Sequence, residues 1–132
     1  MQALLDINPA PADPAVNAQA DFEMIDDRLW GQEVTTYAAS VALDFSNQKT
    51  RTISLTGNIT LTTTSGTVNP GRAMKLRIIS DASIRNFTFP GGWKFLGAAA
   101  PASIAASKTG LLELWSFGTA DADILARWTI EP

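Results

Sequence analysis

The clearest pattern of apolar and polar positions lies in the middle of the chain, at residues 53–62. Their sequence is ISLTGNITLT, in which apolar and small polar residues alternate on both sides of Gly57-Asn58. Successive side chains of a β-strand point to opposite faces, so this period of two predicts half-buried strands. Gly and Asn both tolerate positive φ, so the pair is a turn signal. The stretch favours a tight hairpin over its alternative, one long strand with a bulge at Gly57.

Similar alternation continues through most of the chain after residue 34, in short segments bounded by Gly, Pro, Asn or Asp. The apolar positions with the spacing of a strand face are Val41, Leu43, Phe45, Met74, Leu76, Ile78, Phe87, Phe89, Trp93, Phe95, Leu112, Leu114, Ala126, Trp128 and Ile130. Several short strands at close spacing are typical of a sandwich or barrel. We therefore predict an all-β fold for residues 34–132, namely an antiparallel β-sandwich of jelly-roll-like form.

One internal segment, residues 97–107, departs from the strand pattern. It is rich in Ala around Pro101 and shows no steady period. We interpret it as a loop that crosses the domain, with a helix over residues 102–106 as the weaker alternative.

The first 17 residues are predicted to form an extended, Pro-rich arm. Pro9, Pro11 and Pro14 fix φ and favour extended geometry in the residues that precede them. The apolar residues before the prolines, Leu4, Leu5 and Ile7, are too few to build a core. They either fray or dock on another surface.

Residues 18–33 are predicted to contain one short helix that ends at Trp30. Asn17 is a good N-cap, and Gly31 stands where a C-cap favours positive φ. One apolar stripe is formed by Phe22, Ile25 and Leu29. A helix this short is marginal alone in water and must pack on something. Both its own β domain and a neighbouring subunit remain possible supports.

Composition narrows the range of functions. The chain has 132 residues, no Cys, no His and a net charge of −3. The missing residue types exclude thiolate nucleophiles, imidazole bases and Cys/His zinc sites. Scattered basic residues argue against a nucleic-acid-binding face. No apolar run approaches the ~18 residues of a membrane-spanning helix, so we expect no membrane partner.

Two acidic motifs could carry chemistry, and neither is convincing. Asp26-Asp27 point in different directions on a helix, which fits a solvated face better than a catalytic pair. Asp121-Ala122-Asp123 resembles the opening of a calcium loop, but the later ligands and the loop glycine are missing. It fits a turn before the last strand better. We therefore expect no enzymatic activity, no cofactor and no metal.

The tryptophans provide candidates for binding rather than catalysis. Trp93 and Trp128 have the parity of core positions in their strands. Trp115 has the opposite parity to Leu112 and Leu114, which makes it a candidate for a contact surface. The full set of candidate partner-binding residues is Leu4, Leu5, Ile7, Phe22, Ile25, Leu29, Trp30 and Trp115.

From Leu43 to the C-terminus, the order of several segments resembles a class of bacteriophage virion proteins. The segments are the strand-turn-strand at residues 55–61, the strand after a Gly-containing turn at 71–80, the sequence NFTFPGGW at 86–93 and the sequence KTGLLEL at 108–114. The resemblance implies a β module of the kind found in tail fibres, head fibres and capsid decoration proteins. It also implies trimeric assembly, and it carries over no catalytic residue.

The first 33 residues fall outside the resemblance. They hold no repeats and one short helix, unlike a long fibre shaft, which favours a small head-bound module. We therefore expect a structural virion protein made in the host cytoplasm and located on the capsid surface. It would be a trimeric capsid decoration (cement) or head-fibre protein, with itself and the major capsid protein or another virion protein as partners. The alternative is a tail-fibre or receptor/glycan-binding tip module.

Overall fold

The structure is a computed structural model that describes residues 32–47 and 50–132. The predicted arm at residues 1–17 and the predicted helix ending at Trp30 lie outside the described residues. The first described strand begins at Gln32, two residues before the predicted start of the β domain at residue 34.

Ten strands and one three-residue 3-10 turn, Asp121–Asp123, make up the regular structure of the described residues. The strands are β1 (Gln32–Thr35), β2 (Ser40–Leu43), β3 (Thr50–Ser54), β4 (Ile59–Thr63), β5 (Arg72–Ile79), β6 (Arg85–Thr88), β7 (Lys94–Phe95), β8 (Ser103–Ile104), β9 (Thr109–Ser116) and β10 (Ile124–Ile130). The predicted all-β class is therefore confirmed for this part of the chain.

The strands form two mixed sheets, between which the chain alternates. The six-stranded sheet has the order β1-β3-β5-β9-β10-β7, and the four-stranded sheet has the order β2-β4-β6-β8. Each strand from β2 to β9 therefore lies in the sheet opposite to that of the strand before it. Only β10 stays in the same sheet as its predecessor, with which it forms an antiparallel pair.

The antiparallel prediction is wrong for most of the strand pairs. Five of the eight pairings among the described residues are parallel, including β1 with β3, β3 with β5, β2 with β4 and β4 with β6. From β1 to β6 the chain crosses to the other sheet after each strand, and it returns to a given sheet two strands later in the same direction. The connection that parallel neighbours require is thus the strand of the opposite sheet. The jelly-roll topology is not confirmed.

The predicted hairpin at Gly57-Asn58 is also wrong, as is the single bulged strand. β3 and β4 belong to different sheets, and residues 55–58 connect one sheet to the other. Leu55 is buried within this segment, and its N–H donates to the carbonyl of Ile79 at 2.7 Å. The Tyr37 hydroxyl donates to the carbonyl of Asn58 at 2.8 Å and lies over Gly57, where a Cβ would overlap it. Gly57-Asn58 does mark a break between two strands, but the chain passes there from one sheet to the other.

One hydrophobic core contains residues of both sheets. The inward positions of the six-stranded sheet include Ile53, Met74, Leu76, Ile78, Leu112, Leu114, Ile124 and Ala126, and those of the four-stranded sheet include Val41, Leu43, Ile59, Leu61, Phe87 and Ile104. The alternation in the sequence correctly predicts the buried face of most of these strands. Phe87, Phe89, Phe95, Trp93 and Trp128 form an aromatic cluster with ring centroids 5.1–5.9 Å apart.

The segment at residues 97–107 is not wholly a loop. It contains the two-residue strand β8, which pairs with β6 through Asn86 and Ser103. Ile104 of this strand is buried in the core. The weaker alternative, a helix over residues 102–106, is therefore wrong too. The strand was not visible in the sequence, because two residues are too short a run to show a period of two.

Candidate interaction surfaces

The side of the six-stranded sheet that faces away from the core, here called the outer face, carries an unusual mixture of residues. The register aligns Lys75, Glu113 and Arg127 in one row across β5, β9 and β10. The next row contains Arg77, Leu111 and Thr129. Leu111 is 36% exposed, and Lys75 and Arg77 are exposed. The outer face therefore presents apolar and basic side chains together.

A charged and aromatic cluster occupies the centre of the outer face. Arg127 donates to one carboxylate oxygen of Glu113 from Nη2 at 2.9 Å and from Nε at 3.2 Å. The guanidinium carbon of Arg127 also lies 5.8 Å from the centroid of the Trp115 ring, within the range of a cation–π contact. Glu113 is only 9% exposed although it points away from the core. The side chains around Glu113 therefore shield it from water.

An open depression of about 640 Å³ lies beside this cluster. Its lining includes Arg77, Leu111, Glu113, Arg127, Thr129 and Glu131. Arg77 is held by a hydrogen bond from its Nε to the Thr52 hydroxyl at 3.3 Å, and Thr52 is itself buried. Arg77 and Arg127 thus provide hydrogen-bond donors beside the apolar side chain of Leu111. This arrangement suits contact with a partner surface better than it suits catalysis.

The end of the molecule formed by β1 and β2 is a second candidate surface. Among the described strands, β1 lies at one edge of the six-stranded sheet and β2 at one edge of the four-stranded sheet. Val34 of β1 is 79% exposed. Edge strands carry main-chain groups that are free to pair with another strand.

Polar groups lie on the core side of the same end. Arg51 is 9% exposed and forms an ion pair with Glu33, its direct neighbour across β1 and β3. The Nε of Arg51 and the hydroxyl of Thr35 are buried and have no hydrogen-bond partner among the described residues. This end is therefore more polar inside than the remainder of the core.

The carboxyl groups of Asp81 and Asp44, both in turns, have lowered pKa values. The hydrogen bonds from Arg85 to Asp81, at 2.8 and 2.5 Å, are the main reason why the pKa of Asp81 lies below its usual 3.8. The hydrogen bond from the Ser46 hydroxyl lowers the pKa of Asp44 in the same direction. Both residues act within surface turns, where they hold local backbone geometry.

The structure places one of the predicted partner-binding residues. Trp115 lies half-buried on the outer face, as its parity in the sequence predicted. Leu4, Leu5, Ile7, Phe22, Ile25, Leu29 and Trp30 lie outside the described residues. Asp121 and Asp123 belong to the 3-10 turn before β10, where Asp121 accepts a hydrogen bond from Thr63 at 2.5 Å and Asp123 accepts one from the N–H of Ala120 at 3.1 Å. These bonds fit the predicted turn.

Sequence reasoning missed the polar partners of the outer face. The pairing of Glu113 with Arg127 depends on the register of β9 against β10, which strand alternation alone does not determine. Opposite charges on neighbouring strands would have been a usable signal once that pairing was assumed. The sequence did not indicate that Arg51 points inward, because a basic residue in the segment TRTIS is expected to be exposed to solvent.

The described residues contain no cluster of three side chains able to bind a metal ion. Within the same residues, no helix has the length and apolar character needed to cross a membrane. Comparison of the chain with protein-family models, with curated proteins and with solved structures returned no match.

Proposed function

We propose that the protein is a structural component of a bacteriophage virion, a trimeric capsid decoration (cement) or head-fibre protein that stabilises the phage head. The main support for this proposal is the position in the fold of the four segments whose sequence resembles virion proteins. Residues 55–61, 71–80, 86–93 and 108–114 comprise the crossing into β4 and the strands β5, β6 and β9, which adjoin one another in the two sheets. The resemblance therefore involves one contiguous structural unit.

The outer face supports a role in assembly. Leu111 and Trp115 lie on it beside Arg127, and aromatic and Arg side chains are enriched at protein interfaces. A stable interface buries roughly 800 Å² per partner, and the chain exposes 7452 Å² in total. A partner that binds only the assembled capsid stabilises it by mass action, without any chemical step.

Electron microscopy of the particle tests this location directly. We expect density for the protein on the head, arranged around three-fold axes. A labelled protein found on the tail, or missing from purified particles, would overturn the proposal. Particles stripped of the protein and then heated should release their genome at a lower temperature than decorated ones.

The trimer is tested separately by multi-angle light scattering of the purified full-length chain. We expect a mass three times that of the 14.1 kDa monomer at micromolar concentration. A stable monomer that remains monomeric on the capsid would contradict the trimer and leave the location to be judged from microscopy.

A receptor- or glycan-binding tip module is the second candidate. It is favoured by the Trp115 ring, which lies beside Arg127 and near a depression with several hydrogen-bonding groups. Sugars stack on aromatic faces while polar side chains bind their hydroxyls. Binding to a glycan array that is lost in Trp115→Ala and retained in Phe117→Ala would favour this alternative, because Phe117 is exposed away from the depression.

A further inference from the structure

The two sheets differ in the charge of the sides that face away from the core. On the four-stranded sheet, the outward positions of the described strands are all Ser, Thr, Asn or Ala. They are Ser40, Ala42, Thr60, Thr62, Asn86, Thr88 and Ser103, here called the neutral face. The outer face of the six-stranded sheet instead carries Lys75, Arg77, Glu113 and Arg127. Because both sheets pack on one core, the neutral face and the outer face lie on opposite sides of the molecule.

Arg85 is the one charged residue in the described strands of the four-stranded sheet, and it does not lie on the neutral face. It has the same parity in β6 as Phe87, which is buried. Its guanidinium forms an ion pair with Asp81 in the preceding turn. The neutral face therefore presents hydroxyl, amide and methyl groups but no charge.

The uncharged surface continues past the β8 edge of the neutral face. Residues 95–107 contain no charged side chain. Within them, the loop at residues 96–102, LGAAAPA, connects β7 at the edge of one sheet to β8 at the edge of the other. Leu96 is 48% exposed, and the three alanines after Gly97 are exposed too. The end of this loop adjoins the sheet, since the N–H of Phe87 donates to the carbonyl of Ala102 at 2.9 Å.

The chemistry of the neutral face suits contact with another copy of the same chain. Around a three-fold axis, equivalent residues of the three copies lie close together, so charged residues there would meet like charges. Ser and Thr hydroxyls and Asn amides both donate and accept hydrogen bonds, so they can bond to identical groups. Ionised Lys and Arg only donate, and ionised Asp and Glu only accept. The neutral face is thus compatible with itself, whereas the outer face requires a partner of complementary charge.

The size of the neutral face indicates that the loop takes part in the contact. Four strands about 4.8 Å apart and about five residues long cover roughly 19 by 16 Å. This footprint is less than half of the roughly 800 Å² that a stable interface buries on each partner. The loop at residues 96–102 and Ile84, which is 64% exposed just before β6, extend the uncharged surface. Two patches are also what each subunit of a closed ring needs, one for each neighbour.

We propose that the neutral face and the loop at residues 96–102 form the contacts between copies in the trimer, with the loop of one copy against the neutral face of the next. This inference rests on the trimer of the proposed function and identifies the surface that builds it. The outer face, on the opposite side, stays accessible to the capsid. Self-association and capsid binding therefore use different surfaces.

Insertion of a charge tests the inference by multi-angle light scattering of the full-length chain at micromolar concentration. Thr88→Glu on the neutral face and Ala99→Glu in the loop each place an unpaired carboxylate in all three contacts. We expect the mass of each variant to fall from three times 14.1 kDa to that of the monomer. Ser54→Glu is the matched control, because Ser54 is an exposed hydroxyl residue at the end of β3 in the six-stranded sheet. This control should remain trimeric.

The outcomes separate this inference from the trimer itself. A trimeric wild type whose Thr88→Glu and Ala99→Glu variants are also trimeric would overturn the assignment of the surface and leave the trimer standing. A monomeric wild type would overturn both. Far-UV circular dichroism verifies that a monomeric variant has kept the wild-type fold.

Cysteine cross-linking provides a measurement that introduces no charge, and the chain has no native cysteine. Thr88→Cys and Ala99→Cys are combined in one full-length chain, which is treated with a short bismaleimide. We expect covalent trimers in denaturing electrophoresis, because each loop is linked to the neutral face of the next copy. The control combines Ala99→Cys with Ser54→Cys and should give several-fold less covalent trimer. Equal trimer yields from the two combinations would contradict the inference.

Discussion

At the scale of single residues, packing between β9 and β10 depends on a position with no side chain. Gly110 faces the core side of β9, and the ring of Trp128 lies directly against it. A Cβ at Gly110 would overlap the Cη2 and Cζ2 atoms of that ring. The indole thus occupies space that any other residue would fill.

Gly110→Ala should therefore destabilise the protein by about 1–3 kcal/mol, because either the ring or the strand must move. Gly91→Ala is the matched control, since a Cβ at that position meets no atom within 4 Å and the residue is not among those with positive φ. Its effect should stay within about 0.5 kcal/mol. Urea denaturation monitored by far-UV circular dichroism measures both variants. Equal stability of the two would show that the ring moves aside without cost.

Residue-level prediction from sequence succeeded where a strand has one apolar and one polar face. Met74, Leu76 and Ile78 are all buried, while Lys75 and Arg77 are exposed. It made no statement about Arg51, which is buried and forms an ion pair with Glu33, 18 residues earlier in the chain. The alternation of apolar and polar residues indicates which face of a strand is buried. It does not indicate which distant residue a side chain will contact.

At the scale of elements, a hydrogen bond of the Asn58 side chain connects two neighbouring strands of the four-stranded sheet. The side-chain oxygen of Asn58, just before β4, accepts a hydrogen bond at 3.0 Å from the backbone N–H of Asn86 in β6. Because β4 and β6 are parallel neighbours, this bond fixes where the crossing segment lies relative to the next strand.

Asn58→Ala should lower the free energy of unfolding by about 0.5–1.5 kcal/mol, the usual net value of one such bond. Asn86→Ala is the control, because only the backbone of Asn86 takes part in this contact. The control should change stability by less than about 0.5 kcal/mol. Thermal melts of the two variants provide the comparison, and a larger loss in Asn86→Ala would contradict the assigned role of the Asn58 side chain.

The turn between β5 and β6 should make stability dependent on acid. The pKa of Asp81 is lowered in the folded protein, chiefly by its hydrogen bonds from Arg85. A group with a lowered folded pKa stabilises the fold fully above its unfolded value, here 3.8, and loses that contribution as the pH falls through the folded value. We expect Asp81→Asn to melt below wild type at pH 7.

The difference between these two proteins should shrink as the pH falls below 3.8. Added salt should also reduce it, because the ion pair lies at the surface. Melts recorded from pH 7 down to strongly acidic conditions test both points. A difference that stays constant over this range would mean that the charge of Asp81 does not contribute.

Element-level prediction identified most of the strands and their buried faces but not their partners. The sequence ISLTGNITLT is equally compatible with a hairpin and with two strands in opposite sheets, since both place Ile and Leu in the core. Tyr37, which covers Gly57 in the structure, lies 21 residues before the Asn58 carbonyl it binds. That contact becomes visible only once the chain is folded.

At the scale of the whole molecule, the arm and the β domain should contribute to different properties. Deleting residues 1–16 should leave the melting midpoint of the isolated protein nearly unchanged, because the sequence predicts an extended Pro-rich arm and such arms have few contacts of their own. Each of Leu4, Leu5 and Ile7 would contribute on the order of 1.5–3 kcal/mol if buried in a partner. The cost of ordering the arm reduces this total.

Under the proposed virion role, the truncated protein should therefore bind virions more weakly than the full-length chain in a co-sedimentation assay. A variant with Leu4, Leu5 and Ile7 replaced by Ser separates loss of the apolar side chains from loss of chain length. Wild-type decoration by both proteins would exclude the arm as an anchor. The sheet surfaces would then be responsible for attachment.

The alternation of strands between the two sheets has a consequence for the order of folding. Among the described strands, only β9 and β10 are neighbours both along the chain and within a sheet. Every other pairing must first close a loop that includes a strand of the opposite sheet, and contacts of this kind slow folding. The hairpin of β9 and β10 should therefore be structured in the transition state, and the parallel pairs should form afterwards. In stopped-flow kinetics, Leu114→Ala should mainly slow refolding, whereas Leu61→Ala, at an equally buried site in β4, should mainly accelerate unfolding.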